Sequence, residues 1–407
     1  MTTGNSALGS LKVLDLANEN CVYCGKLLSG MGADVIKVER PGGDPTRNYG
    51  PFFQDSPHPE RSLYFAYLNT GKKSITLNPE NRDGQEIFKK LVKVSDIILE
   101  TFPVGYLESL GLGYTDLKKI NPGIIMTSVT PFGQTGPRKN WHASSEIIAS
   151  AMGGVQFENG EPNNKPVQLG NFLVGYAAGI YAAVGTMTAY HNRLFTEEGN
   201  HVDISLQDIC ASWLDATYGN YQYPPYRITP RWGSQSPTWV PSRLFRAKDG
   251  HFFLAGSNRW NLVAAWLVQE GVDIGDLVDP KYEGANSRDL LWAQKERINN
   301  LVNQFGMKHT KWEIMVEGQK REIPTTLVST VKDIYNDPQL KEREYFVEVE
   351  HPVLGKINYP GAPYKFIESP WQIGGPAPLI GQHNEEIYGE LGFSKEDLVN
   401  LRQGGAI

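Results

Sequence analysis

"KVLDLANENCVYCGKLLSGMGADVIKVE", residues 12–39, carries the pattern on which the fold reading turns. KVLDLA (12–17) is an apolar run too short for a helix, and DVIKVE (34–39) is another. GKLLSGMG (25–32) lies between them and predicts a helix. A strand, a helix and a strand in succession imply two parallel strands joined by a right-handed crossover.

The pattern continues downstream. KSITLN (73–78), DIILE (96–100) and GIIMTSVT (123–130) read as further strands. In RDGQEIFKKLVKVS (82–95), Ile87, Leu91 and Val92 fall on one helical face. The spacing predicts a doubly wound, Rossmann-like α/β domain whose ligands sit at the carboxyl ends of its strands. The first strand-to-helix turn has no G-x-G-x-x-G, so a nicotinamide dinucleotide is not the expected ligand. ERPGGDPTR (39–47) instead places Arg40 and Arg47 around a glycine pair, and NTGKKS (69–74) places Lys72 and Lys73 on a glycine turn. Turn amides and cations together suit a nucleotide phosphate. Taken alone, each motif reads first as a solvated loop.

Composition bounds the rest. A chain of 407 residues, 40% hydrophobic and 21% charged, is long enough for two or three globular domains. A net charge of −6 offers no basic face for nucleic acid. Three cysteines make no disulfide framework, so the cytoplasm is the expected compartment. The opening MTTGNSALGSLKV lacks the charged and apolar regions of a signal peptide. LVGYAAGIYAAVGTMTAY (173–190) is the most apolar stretch, but it is short for a membrane span. Its Gly and Ala content predicts a buried, closely packed helix. Cys21-x-x-Cys24 lacks a second ligand pair, so no metal is expected, and both thiols read as packing residues beside a pocket.

Several longer motifs go further. GADVIKVERPGGDPTR, NTGKKSITL, GLGYTDLKKINPGIIMTSVTPFGQTGP and GIYAAVGTMTAYHNRLFTEEGNHVDISLQD, with the tail GQHNEEIYGELGFSKEDLVNLRQGGAI, resemble the class III CoA-transferases of the formyl-CoA transferase and CaiB/BaiF type. The resemblance covers nearly the whole chain. It implies a CoA thioester as substrate and a large Rossmann-like domain built from both chain ends. It also implies a smaller α+β domain in the middle and two chains interlocked like links. On that pattern residues 1–215 begin the large domain, 216–241 form a linker, 242–335 form the small domain, and 336–407 return to the large one. YGNYQYPPYRITPRWGSQSPTWVP (218–241) reads as extended rather than regular structure.

The resemblance also marks a loss. Active members carry an aspartate, at the start of a helix, that attacks the acyl-CoA thioester and forms a mixed anhydride. Matching Pro166, Val167, Gly170 and Gly179 of PVQLGNFLVGYAAG (166–179) puts Gly175 at that position. Asn171 lies four residues early. The racemases of the same family need a histidine just before the position matched by Glu146, where this chain has Ser145, and His142 reads as a loop residue. Arg40, Lys72 and Phe102 match positions that contact CoA, and Thr101 stands where the family has asparagine. The resemblance thus implies a subunit without its own catalytic residue, paired with a homologous Asp-bearing subunit. A two-subunit member acting on succinyl-CoA and benzylsuccinate in toluene degradation gives that expectation its concrete form. Two alternatives stay open: a self-sufficient transferase or lyase using another acid such as Glu146, and a non-enzymatic acyl-CoA-binding protein. No membrane and no nucleic acid enter any of the three.

Overall fold

Lys12–Asp15 forms the first strand (β1), Val22–Gly30 the first helix (α1) and Asp34–Glu39 the second strand (β2). The computed structural model describes residues 6–407 apart from 144–149, 171, 237–238, 257–258 and 285–286. The next elements are α2 (Leu63–Leu68), β3 (Lys73–Thr76) and α3 (Arg82–Lys93), followed by β4 (Ile97–Glu100). Then come α4 (Tyr106–Ser109), α5 (Tyr114–Ile120), β5 (Ile125–Thr130), α6 (Leu173–Thr196) and β6 (His201–Ser205). Sequence logic sets the α3 boundaries. The Asn81 side chain caps the free amides of Asp83 and Gly84, and Lys90 and Lys93 sit in the last turn, where the helix dipole favours cations.

The six strands form one parallel sheet in the order β3-β2-β1-β4-β5-β6. Alternate residues feed opposite faces. Val13, Ile97 and Leu99 join the core under α1 and α6, while Leu14 and Ile98 join the core under α3. Burial on both faces is why the inner strands β1 and β4 read as nearly uninterrupted apolar runs.

Helix α6 crosses α1 at close range. A Cβ on Gly179 would lie 2.7 Å from Tyr23 Cβ and 2.9 Å from Cys24 N. Val174, Ala178 and Ala182 complete this small-residue seam, so close packing holds on that face. The helix is not buried all round, however. It runs six residues beyond the apolar stretch to Thr196, and its opposite face exposes Ile180, Tyr181, Val184 and Phe195. The small residues meet the sheet and α1, and the large ones face outward.

Leu206–Ser212 (α7) and Asp215–Gln222 (α8) follow β6. The second of these corrects the reading of 216–241 as wholly extended, because its first turns are helical. By contact the chain divides into two compact units. One comprises Met1–Gln156, Gln168–Pro225 and Gln339–Ile407, and the other Phe157–Val167 and Tyr226–Pro338. The second unit has an antiparallel sheet, β7 (Ser242–Ala247), β8 (Gly250–Ala255) and β9 (Thr325–Leu327), around a core that includes Trp260, Trp266, Phe252 and Phe305. The last segment carries the hairpin β10 (Phe346–His351) and β11 (Gly355–Pro360), then helices α9 (Asn384–Glu390) and α10 (Lys395–Gln403). It is tied to the edge of the six-stranded sheet. Thr76 N donates to Asn384 Oδ1 at 2.9 Å and Tyr388 Oη donates to Thr76 O at 2.6 Å.

Candidate functional site

The strand order reverses between β1 and β4, so the loops leaving these two strands part there and open a crevice. The loops are tied at its base, where Asn18 N donates to Thr101 Oγ1 at 3.0 Å. Glu100 ends β4, and its Oε2 accepts from Phe102 N at 2.6 Å, which fixes the turn. The Phe102 ring lies on Tyr106 with centroids 4.7 Å apart. Tyr106 Oη donates to Glu80 at 2.9 Å and accepts from Arg40 Nη2 at 3.0 Å, and Arg40 also pairs with Glu80 at 3.2 Å. Arg40 and Phe102 thus share one apolar hollow of about 20 Å³ with Leu16, Val38, Leu77 and Phe88. Arg40 is exposed at its lip, already engaged by one carboxylate.

Lys72 is elsewhere. Its side chain is wholly buried, and Nζ donates to Asp15 Oδ2 at 2.6 Å, Asn69 Oδ1 at 3.0 Å and Val22 O at 3.1 Å. All three ammonium protons are taken. As a phosphate ligand Lys72 is therefore corrected to a structural cation inside the fold, where burial pushes its pKa down against the pull of Asp15. Arg47 is likewise internal, held bidentately by Glu39 at 2.6 and 2.8 Å and by Glu60 at 2.7 Å. Lys73 pairs with Glu386 at 3.0 Å. Of the four cations on these loops, Arg40 is the one the fold presents at the crevice.

Gly175 lies in the first turn of α6, packed against the β1–α1 loop. A Cβ there would stand 2.6 Å from the Glu19 carbonyl oxygen, well inside contact distance. The residue before this helix, Phe172, adopts φ 54°, a left-handed conformation that is rare for a bulky side chain. It is held by rings: Tyr49 stacks on it at 5.9 Å and Tyr64 lies at 5.1 Å. Tyr176 meets Tyr23 edge-on at 5.0 Å. The neighbour the fold brings to this place is the backbone of Glu19, which no motif pointed to, while its carboxyl hydrogen-bonds to Tyr49. Burial raises its pKa, opposed in part by its hydrogen bond with Tyr49, and burial, joined by the charge of Glu19 and that hydrogen bond, pushes the Tyr49 phenol up to about 12. Its approach to Gly175 depends on packing between segments more than 150 residues apart, which leaves no local signal. Glu146, Ser145 and Asn171 lie outside the described residues. His142 is exposed. Cys21 and Cys24 are both fully buried in the α1–α6 core.

The sequence profile of CoA-transferase family III matches residues 8–384. The chain belongs to CoA-transferase family III. It is 32% identical over 406 residues to the BbsE subunit of succinyl-CoA:(R)-benzylsuccinate CoA-transferase from Thauera aromatica, covering 97% of each chain. It is 33% identical to human succinyl-CoA:glutarate CoA-transferase, over 94% of this chain and 86% of that one. Among solved structures, a CaiB/BaiF family protein from Brucella suis superposes with a TM-score of 0.85 at 29% identity, over 95% of this chain and all of that one. Family III enzymes take CoA thioesters as substrates. Among the described residues no helix is long and apolar enough to cross a membrane.

Proposed function

We propose that this chain is the subunit of a heteromeric class III CoA-transferase that lacks the nucleophile, and that a homologous chain bearing the aspartate supplies it. The observation that carries the reading is the packing at Gly175. The Glu19 carbonyl would lie 2.6 Å from a Cβ there, so a side chain at this position requires the β1–α1 loop or α6 to shift. On this reading the two chains interlock, and the chemistry moves CoA from an acyl-CoA such as succinyl-CoA to a carboxylic acid. The likeness to BbsE supports benzylsuccinate as the acceptor to try first. CoA, where this chain holds it, lies in the β1/β4 crevice, with Arg40 toward its phosphates, Phe102 and Thr101 lining the turn, and Lys72 supporting from behind.

The test is chemical. The purified chain is incubated with succinyl-CoA and hydroxylamine, which captures acyl anhydrides and thioesters formed on side-chain carboxyls. No hydroxamate is expected on this polypeptide, and one is expected on the aspartate of the partner in the co-purified complex. The alternative, a self-sufficient transferase, would use another acid of this chain. A hydroxamate mapped to Glu19, or to Glu146, would establish that reading in place of the first.

A further inference from the structure

The β10–β11 hairpin opens at its base into a hollow that shares no residue with the one at Arg40 and Phe102. The chain enters the hairpin through Arg343–Tyr345 and leaves it through Gly361–Phe366. Gly361 N donates to Tyr345 O at 2.7 Å and holds the two runs together. Pro370 and Trp371 form the third wall. Gln372 N donates to Gly30 O at 2.9 Å, which pins this wall to the end of α1. Gly30 makes the seat for it, because a Cβ there would collide with the Trp371 indole nitrogen. The hollow has a volume of about 250 Å³, just under the ~300–1,000 Å³ of pockets that take drug-sized ligands.

Two kinds of chemistry meet in it. Tyr345, Tyr364, Phe366 and Trp371 bring aromatic rings, with Phe366 set edge-on to Tyr364 at 5.7 Å. Arg343 and Lys365 bring two exposed cations, and neither forms an ion pair among the described residues. Glu344 is the acid of the lining and pairs with neither of them. A third cation lies beside the indole. Lys26 is 2% exposed, and its Nζ stands 5.9 Å from the Trp371 ring centroid. It donates to two neutral acceptors, Tyr67 O at 2.7 Å and Thr70 Oγ1 at 2.8 Å, and pairs with no carboxylate of the described residues. Burial pushes its pKa down to about 7, and the charge of Lys72 adds to the fall. A buried ammonium without a counter-charge is costly. An anion in the hollow brings one to the Trp371 wall.

We propose that this hollow binds a small aromatic carboxylate, its ring among Tyr364, Phe366 and Trp371 and its carboxylate on Arg343 and Lys365. The volume sets the size of the ligand, with room for one ring and a short acid chain and too little for coenzyme A. The rings set its shape, since aromatic side chains gain from stacked and edge-on contacts that an aliphatic acid cannot make. The cations set its charge. A guanidinium grips a carboxylate through two parallel N–H bonds, and an ammonium adds a further donor. Glu344 opposes a ligand of high negative charge such as a polyphosphate. The proposal concerns a ligand site of this chain and does not depend on which chain supplies the nucleophile.

Calorimetry on the full chain tests this with hydrocinnamate as the probe. Hydrocinnamyl alcohol carries the same ring without the charge, and inorganic phosphate carries charge without a ring. Hydrocinnamate is expected to bind with a Kd of about 1 mM or below, in keeping with a ligand of about eleven non-hydrogen atoms. The alcohol and phosphate are each expected to bind about ten-fold more weakly or less. Arg343→Ala combined with Lys365→Ala is expected to weaken hydrocinnamate about ten-fold, and Phe366→Ala about three-fold or more. All three side chains are exposed, so these variants keep the fold. Phosphate binding as tightly as hydrocinnamate overturns the aromatic class, and the alcohol binding as tightly overturns the acid. No binding of hydrocinnamate by the parent, or binding unchanged in the variants, overturns the site. Binding by the isolated chain that vanishes in the co-purified complex also overturns it, and marks the hollow as a contact between subunits.

Discussion

At Gly175 the proposed absence of a nucleophile admits two explanations, a side chain that could be restored and a position the fold has closed. The Glu19 carbonyl oxygen would lie 2.6 Å from a Cβ at this position, closer than the two can approach without a shift. Gly175→Ala therefore forces the β1–α1 loop or α6 to move, and it is expected to cost about 1–3 kcal/mol, the usual range for overpacking a close contact. Chemical denaturation measures this, and an unchanged midpoint would mean that the loop yields freely. Gly175→Asp adds a carboxylate against the same carbonyl and is expected to restore no transfer activity to the isolated chain. A second residue gives a pH signature. Glu100 is raised in the folded chain to about 7 from a model-compound value of 4.5. The folded state thus holds this proton more tightly than the unfolded state does. The contribution to stability is fully present below pH 4.5 and is lost as pH rises toward 7, on the order of 3 kcal/mol in all. Denaturation midpoints of the parent against Glu100→Gln between pH 4.5 and 7.5 read this slope, which is expected to flatten in the variant. If the two slopes match, the carboxyl titrates normally and the burial argument fails.

Among the elements, the inner parallel strands are legible because burial on both faces makes them apolar runs, and that signal is purely local. β6 is not, because HVDIS at the sheet edge mixes polar and apolar residues and only its pairing with β5 makes it a strand. The same divide runs through the site. Arg40 and Phe102 both stand just after strand ends and line one hollow there, so their role toward CoA stays a proposal with a geometry to support it. Lys72 was misread because the partner that claims it, Asp15, is 57 residues away in sequence and meets it only through the sheet. The two cations therefore predict opposite phenotypes. Lys72→Met leaves Asp15 buried with only Lys37 near, at 3.7 Å, and is expected to cost about 3–5 kcal/mol of stability, the range for breaking a buried pair. Arg40→Ala sits at the surface and is expected to leave the fold intact while weakening CoA binding by about 1–3 kcal/mol. Glu80→Gln frees Arg40 from its exposed carboxylate and is expected to tighten CoA. Calorimetry alongside melting curves separates these cases. A destabilised Arg40→Ala, or a Lys72→Met that melts like the parent, would reverse the assignment.

For the molecule as a whole, the question is what covers α6. Its small-residue face is spent on α1 and the sheet, and its outer face presents Ile180, Tyr181, Val184 and, about three turns on, Phe195, with Val184 62% exposed and Phe195 74%. An apolar stripe of this kind, on the helix that carries Gly175, suits an interface between subunits. A subunit kept for such an interface can lose its own chemistry without losing its place, because the partner that folds against it depends on its surface. The expected assembly is therefore a 1:1 complex with an aspartate-bearing homologue, active in CoA transfer when co-expressed. Mutating the partner's aspartate is expected to abolish all activity. Val184→Lys in this chain is expected to weaken the complex, seen as separate peaks in size-exclusion chromatography with light scattering, while leaving the melting temperature of the isolated chain within the small range usual for surface changes. A Val184→Lys chain that still assembles at full stoichiometry would place the interface elsewhere. A homodimer of the parent that transfers CoA unaided would remove the need for a partner altogether and leave another acid of this chain, such as Glu146, to be examined.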